Sequence, residues 1–147
     1  MAFKQVDVSN KPVVYREATA TGRISLKPTT IDRIRKEKVE KGDPVSLAAV
    51  AAIMAVKQTP SIVALSHPLK IESTTPRVEL GKDWVQVTVA VSAHDRTGVE
   101  MEALTAVSAA LLNIWDLVKA YEKDHDGQYP STRIEFIRVT RKVKGKH

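Results

Sequence analysis

The stretch VEMEALTA, Val99 to Ala106, sets Glu100 and Glu102 at the mouth of the most apolar, alanine-rich segment of the chain, and Asp116 and Lys119 follow on the same segment. Carboxylates can accept N–H donors or protons, and a lysine next to an aspartate can act as an acid or a base. Lys41 lies just ahead of Asp43 and Pro44, a helix start with Asp43 as N-cap and Pro44 at the first helical position. Free N–H groups and the helix dipole at such an end favour phosphate, and Lys41 adds a cation. His67 lies between a serine and a proline in ALSHPL. Each feature also has an ordinary reading. Acidic residues in a first turn complement the dipole by a few tenths to about 1 kcal/mol. Asp116 and Lys119 at i, i+3 can form a solvated pair of about 0.2–0.5 kcal/mol. His67 can hold a turn carbonyl, and Lys41-Gly42 can be a simple loop.

Those groups must be positioned by a long helix from about Val99 to Lys123. On a helical wheel Leu104, Val107, Leu111, Ile114, Trp115 and Val118 form the face that meets a sheet. The opposite face holds Glu102, Ala106, Ala109, Asn113, Asp116 and Ala120, a row of small residues bracketed by carboxylates. This face is expected to pack against another helix or subunit and to line a polar site. Glu100 falls about 200° from Glu102, so the two should not share one role. Glu102 and Asp116 lie about 21 Å apart along the axis, beyond the reach of one small ligand. If both serve one reaction, they must meet across an interface between copies.

The remaining elements follow from pattern. Residues 1–12 read as an extended, mixed-charge arm. Val14 to Leu26 reads as a strand, and Thr29 to Lys38 as a short helix capped by Thr30. A helix over 44–57, almost wholly Ala, Val, Ile, Leu and Met, should be covered on most sides and end at Pro60. Leu69 to Leu80 and Trp84 to Ala93 form a hairpin around GKD, with Val85, Val87, Val89 and Val91 on one face. A last strand runs near Arg133 to Val143. The order β-α-α-β-β-α-β predicts an α+β fold, a ferredoxin-like antiparallel sheet with helices packed on one face.

At 147 residues the chain fits one domain. Its net charge of +6 suits an anionic partner, whether nucleic acid, nucleotide or phosphorylated metabolite. The absence of cysteine excludes disulfides, thiolate metal sites and a cysteine nucleophile. No unbroken apolar run approaches the roughly 20 residues of a membrane span, and the start lacks a signal-peptide core. A soluble, cytoplasmic protein without membrane contact is expected.

The motifs VDVSNKP (Val6 to Pro12), YREATATG (Tyr15 to Gly22), KGDPVSLAAVAAIMAVKQT (Lys41 to Thr59), ALSHPL (Ala64 to Leu69) and TGVEMEALTAVSAALLNIWDLVKA (Thr97 to Ala120) occur in this order over nearly the whole chain. Together they resemble the cyclic pyranopterin monophosphate synthases of molybdenum cofactor biosynthesis, the molybdenum cofactor biosynthesis protein C family. The resemblance implies a lyase that converts 3′,8-cyclo-7,8-dihydro-GTP to cyclic pyranopterin monophosphate and releases pyrophosphate. It implies a homohexamer, a trimer of dimers with sites at the dimer interface, and neither a cofactor nor a metal is expected. The implied site residues are Lys41, His67, Glu100, Met101, Glu102, Asp116 and Lys119, with Asp7 and Arg16 from the N-terminal region. The sequence departs from the family pattern at Ser66, where a cysteine is common, and in the short terminus KVKGKH with Lys142, Lys144 and Lys146.

The reaction needs proton transfer and neutralisation of phosphate charge. Lys119 is expected to be the general acid/base, its pKa lowered by burial and raised by Asp116. Lys41 and His67, with Arg16, would hold phosphate, and Glu102 the guanine-derived ring. Mixing inactive Lys119 and Lys41 variants should restore activity if copies share the site. A competing reading, a basic ferredoxin-like module that binds RNA, needs exposed aromatics paired on the sheet. Only 5% of the residues are aromatic, and the strands are rich in Val and Thr.

Overall fold

The structure, a computed structural model, describes residues 1–145. Its elements are β1 (Val14–Ser25), α1 (Pro28–Arg35), α2 (Pro44–Ile62), β2 (Ser73–Leu80), β3 (Trp84–Asp95), α3 (Glu100–Glu122) and β4 (Arg133–Lys144). The strands form one sheet in the order β2-β3-β1-β4, and every neighbouring pair is antiparallel. This is the expected ferredoxin-like α+β arrangement.

Alternation fixes which face carries the core. Ala18, Ala20 and Ile24 of β1 and Val85, Val87, Val89, Val91 and Ala93 of β3 are buried under the helices. Register Ala20↔Val89 and Gly22↔Val87 sets these rows side by side. Gly22 lies where α3 packs tightly on the sheet. A Cβ there would sit 2.6 Å from Val107 Cγ1, 2.8 Å from Leu111 Cδ1 and 2.9 Å from the Phe136 carbonyl. Both edges are protected against further pairing: β2 carries Pro76, and β4 carries a row of exposed basic residues.

The helices and one strand depart from the sequence expectations at four points. Thr30 is not a cap. Lys27 holds the N-cap position of α1 without a side-chain cap bond, and Thr30 is buried inside the first turn. Its hydroxyl donates instead to Glu122 of α3. Pro60 does not end α2, which continues to Ile62. A proline in a final turn removes only one backbone bond, and Thr59 Oγ1 donates to the Ala55 carbonyl at 3.2 Å. Strand β2 begins at Ser73 rather than Leu69, since the chain first makes the ALSHPL turn and crosses back to the sheet. Finally, α2 is not covered on most sides: Ala48, Ala52, Ala55 and Val56 are buried, whereas Leu47, Val50, Met54 and Ile62 are exposed.

Helices α2 and α3 are each long and apolar enough, by length and composition, to cross a membrane. A few polar residues interrupt each helix, so neither shows as an unbroken apolar run in the sequence. In this fold α3 lies mostly buried as the core helix against the sheet, with α2 packed beside it.

Candidate functional site

Two groups of the expected residues form, one at each end of α3. At the N-terminal end, Glu100, Met101 and Glu102 line a cavity of about 470 Å³ together with His67 and residues of the N-terminal arm. Several bonds assemble this end. Arg16, 5% exposed, donates to the carbonyls of Asp95 at 3.4 Å and Arg96 at 3.1 Å, fixing the turn that launches α3. Asp95 Oδ2 accepts from the Lys70 amide at 3.4 Å, tying the segment after ALSHPL to the same turn. Gln5 Nε2 donates to the Ser66 carbonyl at 2.9 Å, which lays the arm over His67. Asp7 is held by the Ser9 amide at 2.8 Å, and this bond keeps its carboxyl below the usual range, with His67 adding a weaker pull.

The two glutamates differ as the wheel requires. Glu102 is 3% exposed, and burial pushes its carboxyl above the usual carboxylate range; its own backbone N–H partly opposes this, and Glu100 and Asp95 add repulsion. Glu100 directs Oε2 at Lys142 Nζ, 3.4 Å away, and leaves Oε1 buried with no hydrogen-bond partner among the described residues. A ligand with an N–H donor would satisfy Glu100 Oε1, because an unpaired buried acceptor costs about 1–3 kcal/mol.

At the C-terminal end, Asp116 lies between two ammonium groups, with Lys119 Nζ at 3.0 Å and Lys41 Nζ at 3.4 Å. Hydrogen bonding and charge from Lys119, then charge from Lys41, hold the Asp116 carboxyl below its usual range. Lys119 is raised above the usual lysine value, chiefly by its bond to Asp116, with desolvation only a minor opposing effect. Of the two effects weighed from sequence, the carboxylate dominates here, since 41% of the Lys119 side chain is exposed. A second cavity of about 410 Å³ adjoins Lys41, Asp116 and Lys119. Lys41 is delivered by the loop leading into α2, whose N-cap Asp43 accepts from Val45 and Ser46.

One chain therefore does not bring all the expected residues together. His67, Glu100, Met101 and Glu102 meet at one end of α3, and Lys41, Asp116 and Lys119 at the other, with the helix between them. Arg16 does not line the cavity; it builds the turn that does. The pairing of Lys41 with Lys119 also corrects the expected mixing test, because both lysines fall in the same group. Sequence reasoning missed Lys4 and Lys11, which line the first cavity, and the contact of Lys142 with Glu100. Lys11 lies inside the VDVSNKP motif and Lys142 inside the terminal KVKGKH, so a signal was present for both, whereas Lys4 had none. Lys146 lies outside the described residues. Among them, no group of three or more His, Asp or Glu side chains could hold a metal ion.

The MoaC family model matches residues 5–145. A probable cyclic pyranopterin monophosphate synthase of Thermococcus kodakarensis is 54% identical over 97% of this chain and 91% of its own length. Proteins of the same printed name from Sulfolobus acidocaldarius and Methanococcoides burtonii are 51% and 53% identical, each over 95% of this chain and over 97% and 87% of their own lengths. The chain belongs to the MoaC family.

Proposed function

We propose that this protein is a cyclic pyranopterin monophosphate synthase, a lyase of molybdenum cofactor biosynthesis that converts 3′,8-cyclo-7,8-dihydro-GTP to cyclic pyranopterin monophosphate and pyrophosphate. The observation that carries the reading is the cavity at the start of α3, lined by the buried Glu102, the partly buried Glu100, His67 and two arm lysines in a chain of this family. Glu102 accepts from the N–H edge of the guanine-derived ring, and Glu100 offers its unpaired oxygen. His67 and Lys41 bind phosphate oxygens.

Forming a cyclic phosphate with loss of diphosphate requires a substrate oxygen to displace pyrophosphate at the α-phosphorus. The bond to the bridging oxygen breaks, and negative charge grows on the leaving group. Lys119, kept protonated by Asp116, donates a proton or a charged hydrogen bond there. Asp116 fixes both lysines in place. Because about 21 Å of helix separates the two groups, the complete site joins the Glu102 end of one copy to the Lys119 end of another. The exposed apolar row Leu47, Val50 and Met54 of α2, with Leu112 of α3, supports such packing between copies. The assembly proposed is a homohexamer, a trimer of dimers.

The RNA-binding reading lacks support on the open sheet face. Its centre carries Thr21 and Thr88, paired at 3.1 Å, while Tyr15 and Trp84 stand at opposite ends. Trp84 lies under the Arg23 guanidinium at 3.9 Å.

The test is pyrophosphate release from the cyclised GTP substrate by wild type and by Lys119→Ala, Asp116→Ala and Glu102→Ala. Near-wild-type turnover in all three variants sinks the assignment. Mixed refolding then tests site sharing. Inactive Glu102→Ala mixed with inactive Lys119→Ala should recover about a quarter of wild-type activity, since half of randomly formed dimers are mixed and each mixed dimer holds one intact site. Lys41→Ala mixed with Lys119→Ala should recover nothing. Recovery in neither mixture would place each site within one chain, and recovery only with Lys41→Ala would put Lys41 and Lys119 on different copies.

A further inference from the structure

We infer that Tyr121 is a positioning residue for Lys41: its hydroxyl holds the loop that presents the Lys41 ammonium to Asp116. The inference rests on the functional reading above for the role of Lys41 in binding phosphate. Residues 36–43 join α1 to α2, and most of their backbone bonds stay within the loop or return to α1: Lys36 to Asp32, Glu37 to Ile34, Lys38 to Arg33 and Gly42 to Val39. The Glu40 amide, directly before Lys41, instead donates to Tyr121 Oη at 2.9 Å. The Arg33 guanidinium covers the Tyr121 ring with its centre 4.3 Å from the ring centroid, so the phenol is held from α1 as well as from α3.

This bond matters because the Lys41 side chain is weakly held by itself. It is 50% exposed, and its contacts to the Asp116 carboxylate and carbonyl are 3.4–3.5 Å. A long, solvated lysine contributes to phosphate binding only when its backbone is already placed, since ordering it costs rotamer freedom. The loop contains Gly42 at φ 138° and Glu37 at φ 55°, so its path depends on residues in uncommon backbone regions. Tyr121 lies two positions beyond Lys119. The last two turns of α3 therefore carry the acid–base pair and also anchor the strand of chain that brings the phosphate lysine to it. Nothing in the reaction chemistry calls for a phenol at this point, and its hydroxyl is committed to a backbone amide.

The experiment compares wild type with Tyr121→Phe, which removes the hydroxyl and keeps the ring under Arg33. In pyrophosphate-release kinetics the variant should raise KM for the cyclised GTP substrate about fivefold and leave kcat within about twofold, the mark of lost ground-state binding. In the Lys41→Ala background the same change should have no further effect on the Kd of pyrophosphate, read by calorimetry without turnover. Hydrogen exchange at the Glu40 amide should accelerate about tenfold, while exchange within α2 and β3 stays as in wild type. An unchanged Glu40 exchange rate, or an equal rise in the Kd of pyrophosphate with and without Lys41, overturns the inference. If wild type releases no pyrophosphate, the functional reading fails, and the exchange measurement still decides whether Tyr121 holds the loop.

Discussion

Glu122 provides the sharpest stability test. Its side chain is fully buried, yet it is an acid in the last turn of α3. It accepts from the Lys27 amide at 3.0 and 3.3 Å, from Thr132 Oγ1 at 2.6 Å and from Thr30 Oγ1. One carboxylate thus closes three junctions: it caps α1 from a distance where Lys27 has no cap of its own, it fixes the end of α3, and it holds the approach to β4. Glu122→Ala leaves one amide and two hydroxyls without their acceptor in a buried site. Hydrogen bonds to a charged group are worth about 1.5–3 kcal/mol each, and relief from burying the charge offsets part of their loss. The net destabilisation should be about 3–5 kcal/mol, or about 10 °C in melting temperature for a chain of this size. Glu122→Gln keeps the shape and one acceptor oxygen, and the two threonine hydroxyls can turn to accept from its amide, so it should cost about 1–2 kcal/mol. The assay is thermal unfolding at one fixed protein concentration, because association between copies shifts the midpoint. An alanine variant within 1 kcal/mol of wild type, or an equal loss for Gln and Ala, refutes the account.

Three further outcomes follow. Gly22→Ala should cost about 1–3 kcal/mol in the same melts, because the added methyl meets Val107, Leu111 and the Phe136 backbone at under 3 Å; a neutral effect would mean that α3 can lift from the sheet. Glu102→Gln should abolish turnover yet stabilise the fold. Burial raises the Glu102 pKa above its value of 4.5 in the unfolded chain, so the acid supports the fold below that pH and loses the support as pH rises through its folded value. The melting-temperature advantage of Glu102→Gln should therefore be least near pH 4 and grow toward neutrality; an advantage independent of pH would contradict it. Asp116→Asn removes the partner that raises Lys119, so the pKa of Lys119, followed by NMR of its side chain, should fall toward the ordinary lysine value. No change would show that the 3.0 Å contact is not maintained in solution.

The sequence was most legible where periodicity and burial coincide. Val85 to Val91 alternate because β3 lies against the helices on one face only, and α3 reads at both ends because its apolar stripe stops with the sheet beneath it. Asp43-Pro44 marked the start of α2 correctly, since capping is a local interaction. Thr30 misled for the complementary reason: a threonine at the start of a helix looks like a cap, but its acceptor is 92 residues away on α3. Pro60 misled because a proline near a helix end removes few bonds, and the sequence does not show how close the end is. Arg16 was expected among the phosphate ligands, yet its neighbours are carbonyls from residues about 80 positions away. Local signals were readable, and partners distant along the chain were not.

The two site groups show how this limit bears on function. Helical geometry alone established that Glu102 and Asp116 cannot serve one small ligand in one chain, and the fold keeps them apart. Helical geometry could not say which residues gather at each end, and that grouping decides which variants can complement one another. Lys41 is 75 residues from Asp116 in sequence and belongs beside it, whereas Glu102, only 14 residues away, belongs to the other end. A site shared by two copies, as proposed above, would take Lys41, Asp116 and Lys119 from one chain and His67 with the acids from the other. In that arrangement each copy would carry Lys119 on α3 and Lys41 on the loop before α2 for one site, and present the acids of the next through the turn that Arg16 anchors. A substitution at Arg16 should accordingly disturb the ring-binding half of the site and leave the Asp116–Lys119 pair intact.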